Sequence, residues 1–130
     1  MATLTVDIVT PERVAFSGPA DEVVAPGVGG EFGVLPAHAL FLALLTPGVV
    51  TVKGAGGPKR FVVGPGFAEA GPDRIVVLTD SCEVAGTVDK ATAERDLAEA
   101  QAVLATAAAG SEERLVAEQR AALARARLEA

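Results

Sequence analysis

The sequence predicts a mainly β chain of the α+β class: an N-terminal β-sandwich followed by a C-terminal antiparallel two-helix hairpin. Three observations predict it. Short β-branched runs recur up to about residue 86, each closed by Gly or Pro. Beyond that point Pro is absent and Ala, Glu, Arg and Leu dominate. A Gly110-Ser111 break divides this second stretch into two helical halves, close enough together that the chain must fold back on itself. The expected organisation is residues 1–86 as the sandwich and 87–130 as the hairpin.

Leu4 to Val9 mixes β-branched residues with apolar/polar alternation. Arg13 to Phe16 precedes a Gly18-Pro19 break, and Glu22 to Ala25 ends at Pro26-Gly27. Val49 to Lys53 lies between Pro47-Gly48 and the Gly54-Ala55-Gly56-Gly57 turn. Arg60 to Val63 closes at Gly64-Pro65-Gly66, and Phe67 to Ala70 at Gly71-Pro72-Asp73. Arg74 to Thr79 and Cys82 to Ala85 complete the series. Short strands at this spacing predict a sandwich or a barrel.

Residues 89–108 predict a helix. Asp89 is its N-cap, and Leu97, Ala100 and Leu104 recur at i, i+3 and i+7 beside Val103. Gly110 stops it. Ser111 caps a second helix running to about Leu128, with Glu112 and Glu113 at its positive end. The facing stripe is mostly Ala, which favours helix strongly but buries little apolar area, worth roughly 25 cal/mol per Å². The expectation is a stable helix pair loosely docked on the sandwich, either a moving element or a weakly packed tail.

The 130 residues are half apolar, so a real core is expected, built from Val, Leu and Ala. There is no Trp or Tyr, only five Phe, and the net charge is −6. That balance argues against nucleic acid and against an anionic lipid surface. A single cysteine excludes an internal disulfide and fits a reducing compartment. Met1 to Asp7 has no basic region leading into an apolar run, so no leader is read there. The longest apolar run, Ala39 to Leu45, is too short to span a bilayer. Membrane association is expected only through a protein partner.

Catalytic patterns are missing. The single histidine, His38, and the single cysteine, Cys82, have no local partners, and together they are too few for a structural zinc site. Cys82 sits in an apolar strand pattern and reads as a buried, inert thiol. Gly66 and Gly71 have the first spacing of a phosphate loop, but Pro72-Asp73 follow where Lys and Ser/Thr are required. The expectation is a chain with no cofactor, no metal and no active site of its own.

One stretch is more informative: Val23-Val24-Ala25-Pro26-Gly27-Val28-Gly29-Gly30-Glu31-Phe32-Gly33-Val34-Leu35-Pro36-Ala37-His38-Ala39. It resembles the epsilon subunits of F-type ATP synthases, in which a segment of the form GE-F/L-G-I/V-L/Y-P-G-H-A closes a loop of the sandwich. Phe16-Ser17-Gly18, Leu44-Leu45-Thr46-Pro47-Gly48-Val49-Val50, Phe61 to Ala70 and Val76 to Asp80 are similar to further segments of that family, in the same order. Two positions depart from it: Ala37 stands where Gly is usual and Leu40 where Pro is usual. An Ala at 37 is costly if the backbone there needs a positive φ.

The resemblance implies a ten-stranded type of sandwich and a non-catalytic central-stalk rotor subunit. Its sandwich binds the gamma subunit and sits on the ring of c subunits, at the cytoplasmic face of a bacterial plasma membrane. Proton flow turns the ring, and the rotation drives ATP synthesis in the alpha/beta head. The hairpin of such subunits folds down on the sandwich or extends towards the head and opposes ATP hydrolysis. The resemblance places Glu31, Phe32 and His38 on the loop facing the ring. Some relatives bind ATP through I/L-D-x-x-R-A. Here the stretch is Val88-Asp89-Lys90-Ala91-Thr92-Ala93, with Thr92 in place of Arg, which leaves Asp89 and Arg120 as a degenerate nucleotide site at best. The residues alone leave two other readings open: a sandwich adaptor of another complex, and a small ligand-binding or hydrolytic β-protein using His38 and Glu31.

Overall fold

The computed structural model describes residues 3–130; Met1 and Ala2, part of the segment read for a leader, lie outside the described residues. Ten strands come first: β1 (Leu4–Val9), β2 (Val14–Ala20), β3 (Glu22–Gly27), β4 (Gly30–Val34), β5 (Phe41–Leu45), β6 (Gly48–Lys53), β7 (Lys59–Val63), β8 (Gly66–Ala70), β9 (Arg74–Thr79) and β10 (Cys82–Val84). A short 3₁₀ turn over Ala85–Thr87 leads to helices α1 (Lys90–Leu104) and α2 (Glu112–Glu129).

The strands form one continuous path, β10-β7-β6-β3-β5-β8-β9-β1-β2, with β4 pairing on β3. The join between its halves is narrow, a single Gly27–Leu45 pairing between β3 and β5. The sheet folds over at that join. Phe16 of β2 meets Phe61 of β7 at 5.3 Å between ring centroids, bringing strands near opposite ends of the path together. Strict alternation then fills the interior: Leu4, Val6 and Ile8; Val23 and Ala25; Val50 and Val52; Ala68 and Ala70; Ile75 and Val77 all belong to one buried cluster. Among the described residues only β1 and β9 run parallel.

Three sequence expectations shift. The Gly18-Pro19 and Pro26-Gly27 pairs do not end strands but lie inside β2 and β3. Pro19 is tolerated because β2 ends the path, and Pro26 because β6 pairs with β3 only from Glu22 to Val24. The segment read as a loop from Glu31 onward begins as strand β4, and the apolar run at 41–45 is strand β5. Helix α1 ends at Leu104, not 108. Arg114, in the first turn of α2, donates from Nη1 to the Leu104 carbonyl at 3.1 Å and caps α1 there.

The hairpin lies on the sheet, with its alanine stripe buried. Ala93 and Ala100 of α1 and Ala117, Ala121, Ala124 and Ala126 of α2 are buried, while Leu115 and Val116 lie at the surface. Val62 is buried on β7 between Phe61 and Val63, yet it is not part of the interior cluster. A strand with three consecutive buried residues is covered on both faces. The second cover is α2, which packs on β6 and β7.

Candidate partner interface

The folded sheet has two outer faces, and its own chain treats them differently. On the first, Glu22, Val24, Glu31, Val49, Thr51, Lys53, Arg60, Val62 and Glu83 occupy the outward positions of β3, β4, β6, β7 and β10. This is the face on which α2 rests. Glu31 lies here, on a cleft shared with Arg60 and with Glu129 near the end of α2.

The second outer face is left open, and its register builds an apolar rung. Leu44 of β5 pairs with Phe67 of β8, Phe67 with Leu78 of β9, and Leu78 with Val9 of β1. All four side chains point outward, opposite to the buried neighbours Leu45, Ala68, Val77 and Ile8. Leu44 is 68 % exposed and Phe67 40 %. The next rung, Leu42–Glu69–Val76–Asp7, is mixed. Its Asp7 is tied to Arg74 at 3.1 Å and to the Ser17 hydroxyl at 2.7 Å. Leu42 and Val28 extend the apolar surface beyond the first rung, both about two-thirds exposed.

Beside this face stands the turn that the sequence singled out. Phe32 packs against Phe41 at 5.2 Å between centroids, and His38 against Phe41 at 5.7 Å, both edge-on. The His38 ring nitrogen Nδ1 lies 2.7 Å from the Ala39 carbonyl; a carbonyl only accepts, so in the neutral ring Nδ1 bears the proton and Nε2 is the acceptor. Phe32, Phe41 and His38 therefore form one aromatic cluster, flanked by exposed Leu35 and Leu40. Glu31 is not part of it, because alternation along β4 sends Glu31 and Phe32 to opposite faces.

Ala37 explains how this turn is held. It has a φ of 68°, the only positive value at a non-glycine residue among those described. Its N–H is fixed to the Pro72 carbonyl at 2.6 Å. The left-handed region costs an L-residue roughly 1–2 kcal/mol. Ala37→Gly is expected to raise unfolding free energy by up to about 1 kcal/mol, part of the relief being offset by the freer unfolded chain. A urea midpoint that falls on this substitution would show that the backbone strain is not real.

The remaining sequence candidates are occupied within the chain. Asp89 caps α1, accepting from the N–H groups of Ala91 at 3.0 Å and Thr92 at 3.2 Å and from the Thr92 hydroxyl at 3.0 Å. The Thr92 backbone and hydroxyl hydrogen bonds hold the Asp89 carboxyl below the ordinary carboxylate range. A depressed value means that the charged cap is in place at neutral pH and is lost only as pH falls through that value. Arg120 donates to Glu99 at 2.5 Å and to Asp96 at 3.3 Å. No hydrogen bond or ion pair joins Asp89 to Arg120 among the described residues. Cys82 is buried, and burial pushes its thiol up, against the opposing pull of Arg13. No group of three or more His, Cys, Asp or Glu is placed to hold a metal among the described residues. No helix there is long and apolar enough to cross a membrane.

A contiguous apolar rung beside a half-exposed aromatic turn, on a sheet whose other face is partly covered by α2, is a surface suited to docking into an assembly. The family model described as ATP synthase, Delta/Epsilon chain, beta-sandwich domain matches residues 3–85. An ATP synthase epsilon chain of Myxococcus xanthus (strain DK1622) is 46% identical over 101 residues, covering 78% of this chain and 74% of that one. One from Parasynechococcus marenigrum (strain WH8102) is 35% identical over 130 residues, covering 98% and 96%. The fold matches a chain in a cryo-EM structure of Euglena gracilis mitochondrial ATP synthase, OSCP/F1/c-ring, with a TM-score of 0.82 at 21% identity, over 96% of this chain and 79% of that one. It also matches one in the Tetrahymena thermophila mitochondrial ATP synthase central stalk/c-ring, with a TM-score of 0.62 at 12% identity, over 97% and 94%. The chain belongs to the epsilon-chain family of F-type ATP synthases.

Proposed function

We propose that this chain is a non-catalytic rotor subunit of the central stalk, with no active site of its own. Residues 1–86 act as the docking unit on the gamma subunit and the c-subunit ring, and residues 87–130 as a hairpin that restrains ATP hydrolysis by reaching the alpha/beta head. Ring rotation driven by protons passes through it to the head, which makes ATP. The chain is then peripheral, on the cytoplasmic face of a bacterial plasma membrane, and meets the membrane only through its partners.

The observation that carries this reading is the Leu44–Phe67–Leu78–Val9 rung, an apolar strip on a face left open. It is assigned to the gamma subunit. The turn that carries Phe32 and His38 is assigned to the ring, with Glu31, on the opposite face of β4, at its margin. A sheet folded on itself resists shear at two interfaces better than a loop does, which suits a part that transmits torque. The relatives named as epsilon chains, and the c-ring assemblies in which the structural neighbours were found, support the assignment. Nucleotide sensing through Asp89 and Arg120 is not included, because both side chains are engaged by neighbours in the chain.

The test is reconstitution. Membranes carrying ATP synthase stripped of its epsilon chain are assayed for ATP hydrolysis and ATP-driven proton pumping, with this chain added back to its own organism's enzyme. Recovery of protons pumped per ATP is the expected result, with a fall in hydrolysis reporting the hairpin. A chain that neither binds nor changes either rate ends the rotor reading and leaves an adaptor of some other complex.

A further inference from the structure

The covered face of the sheet shows how the hairpin is attached. Glu83, Val62 and Val49 form one line across β10, β7 and β6, all on the outer face under α2. Val62 is the fully buried apolar contact there, the fully buried α2 residues are all alanine, and Leu123, Leu128 and Val49 are only half-buried. So little apolar area gives a weak hold. The polar contacts around it are dense. Arg127 of α2 forks onto Glu83, with Nη2–Oε1 at 2.6 Å and Nε–Oε2 at 3.2 Å. Its other terminal nitrogen reaches Asp96 of α1 at 3.6 Å. One guanidinium thus joins the sandwich, the first helix and the second. Lys90, at the start of α1, donates to the carbonyls of Arg127 at 3.0 Å, Leu128 at 2.7 Å and Ala130 at 2.9 Å, fixing the turn that carries the arginine.

We infer that the Arg127–Glu83 fork is an ionic latch: it, rather than apolar packing, holds the helical hairpin on the sheet, so that the hairpin lifts as a unit when the fork is broken while the sandwich stays folded. Arg127 is only one-fifth exposed and Glu83 one-third, so the bidentate pair is partly shielded from solvent. Helix-internal bonds and the Arg120 bridges to Asp96 and Glu99 lie within the hairpin and survive its release. The inference does not depend on what the open face binds.

A thiol at position 62 reports the latch, because Val62 is buried by the hairpin and not by the core. The full chain carrying Val62→Cys and Cys82→Ala is labelled with a thiol reagent, with circular dichroism recorded in parallel. Adding Glu83→Gln is expected to speed labelling by at least about tenfold with the sheet signal and the helix signal unchanged. Arg127→Gln is expected to act alike. Salt raised from about 0.01 M to about 1 M shortens the screening length from roughly 30 Å to roughly 3 Å. It is expected to speed the parent and leave the Glu83→Gln chain unmoved. Glu83→Gln and Arg127→Gln combined are expected to label no faster than either alone, since both break the same fork. Labelling that ignores both substitutions and salt would overturn the latch. So would acceleration that appears only together with loss of the sheet signal.

Discussion

Gly66→Ala is expected to destabilise the sandwich by about 3 kcal/mol, read as a shift in the urea midpoint. Gly66 opens β8 and pairs with Thr79 on one side and Leu45 on the other. A methyl group there would overlap the Leu78 carbonyl oxygen and come within 2.8 Å of the Thr79 Cα. Both obstacles are backbone, so no side-chain rotation relieves them. They cannot retreat either, because β9 is paired on both sides, antiparallel with β8 and parallel with β1. The buried Thr79 hydroxyl lies 2.9 Å from the Gly64 carbonyl and 3.1 Å from that of Ser81, tying down the turn beyond. Gly86→Ala is the control. No atom would lie within 4 Å of its methyl group, and a change within about 0.5 kcal/mol is expected. If Gly66→Ala cost no more than this control, the close approach of β8 to β9 would be wrong.

The same residue shows what a sequence conveys and what it withholds. Gly66 is readable as punctuation at a strand end, but the reason for it, the backbone of β9 passing against it, needs the register. Strands built from β-branched runs and closed by Gly or Pro were legible one by one. Strand β5 was not, since Leu42 and Leu44 on its open side are as apolar as Leu45 on its buried side and the alternation vanishes. Strand β4 was hidden by Gly30 and Gly33, which argue locally for a turn. Both helix caps, Asp89 and Ser111, were legible because capping is local. The early end of α1 was not, since it depends on Arg114 reaching back from the next helix.

The candidate site divides in the same way. The segment from Glu31 to Ala39 stood out by resemblance, and Phe32 and His38 do meet through Phe41. The rung was invisible: Val9, Leu44, Phe67 and Leu78 lie in four separate strands, and only pairing lines them up. The Arg127–Glu83 fork was equally hidden, spanning 44 positions of sequence.

The docking assignment makes its sharpest demand on Leu44 and Phe67. Under the proposal, Leu44→Glu with Phe67→Glu weakens binding to the epsilon-depleted enzyme by at least about a hundredfold, the scale of losing a central apolar anchor of about 2–4 kcal/mol. The two positions are neighbours in the rung and both point away from the core, so folding is expected to change by less than about 1 kcal/mol. Binding and stability therefore separate, which no core substitution achieves. Two glutamates also impose a desolvation cost on any apolar partner surface, whatever its sequence. Glu31→Ala, on the other face, is expected to leave that affinity within about threefold, because a charge at the margin of an interface acts mainly on association rate. An affinity unmoved by the double glutamate, with Glu31→Ala now the damaging change, would transfer the docking role to the face that α2 covers. The hairpin would then have to lift before the subunit could dock, and chains with Glu83→Gln would bind faster than the parent rather than at the same rate.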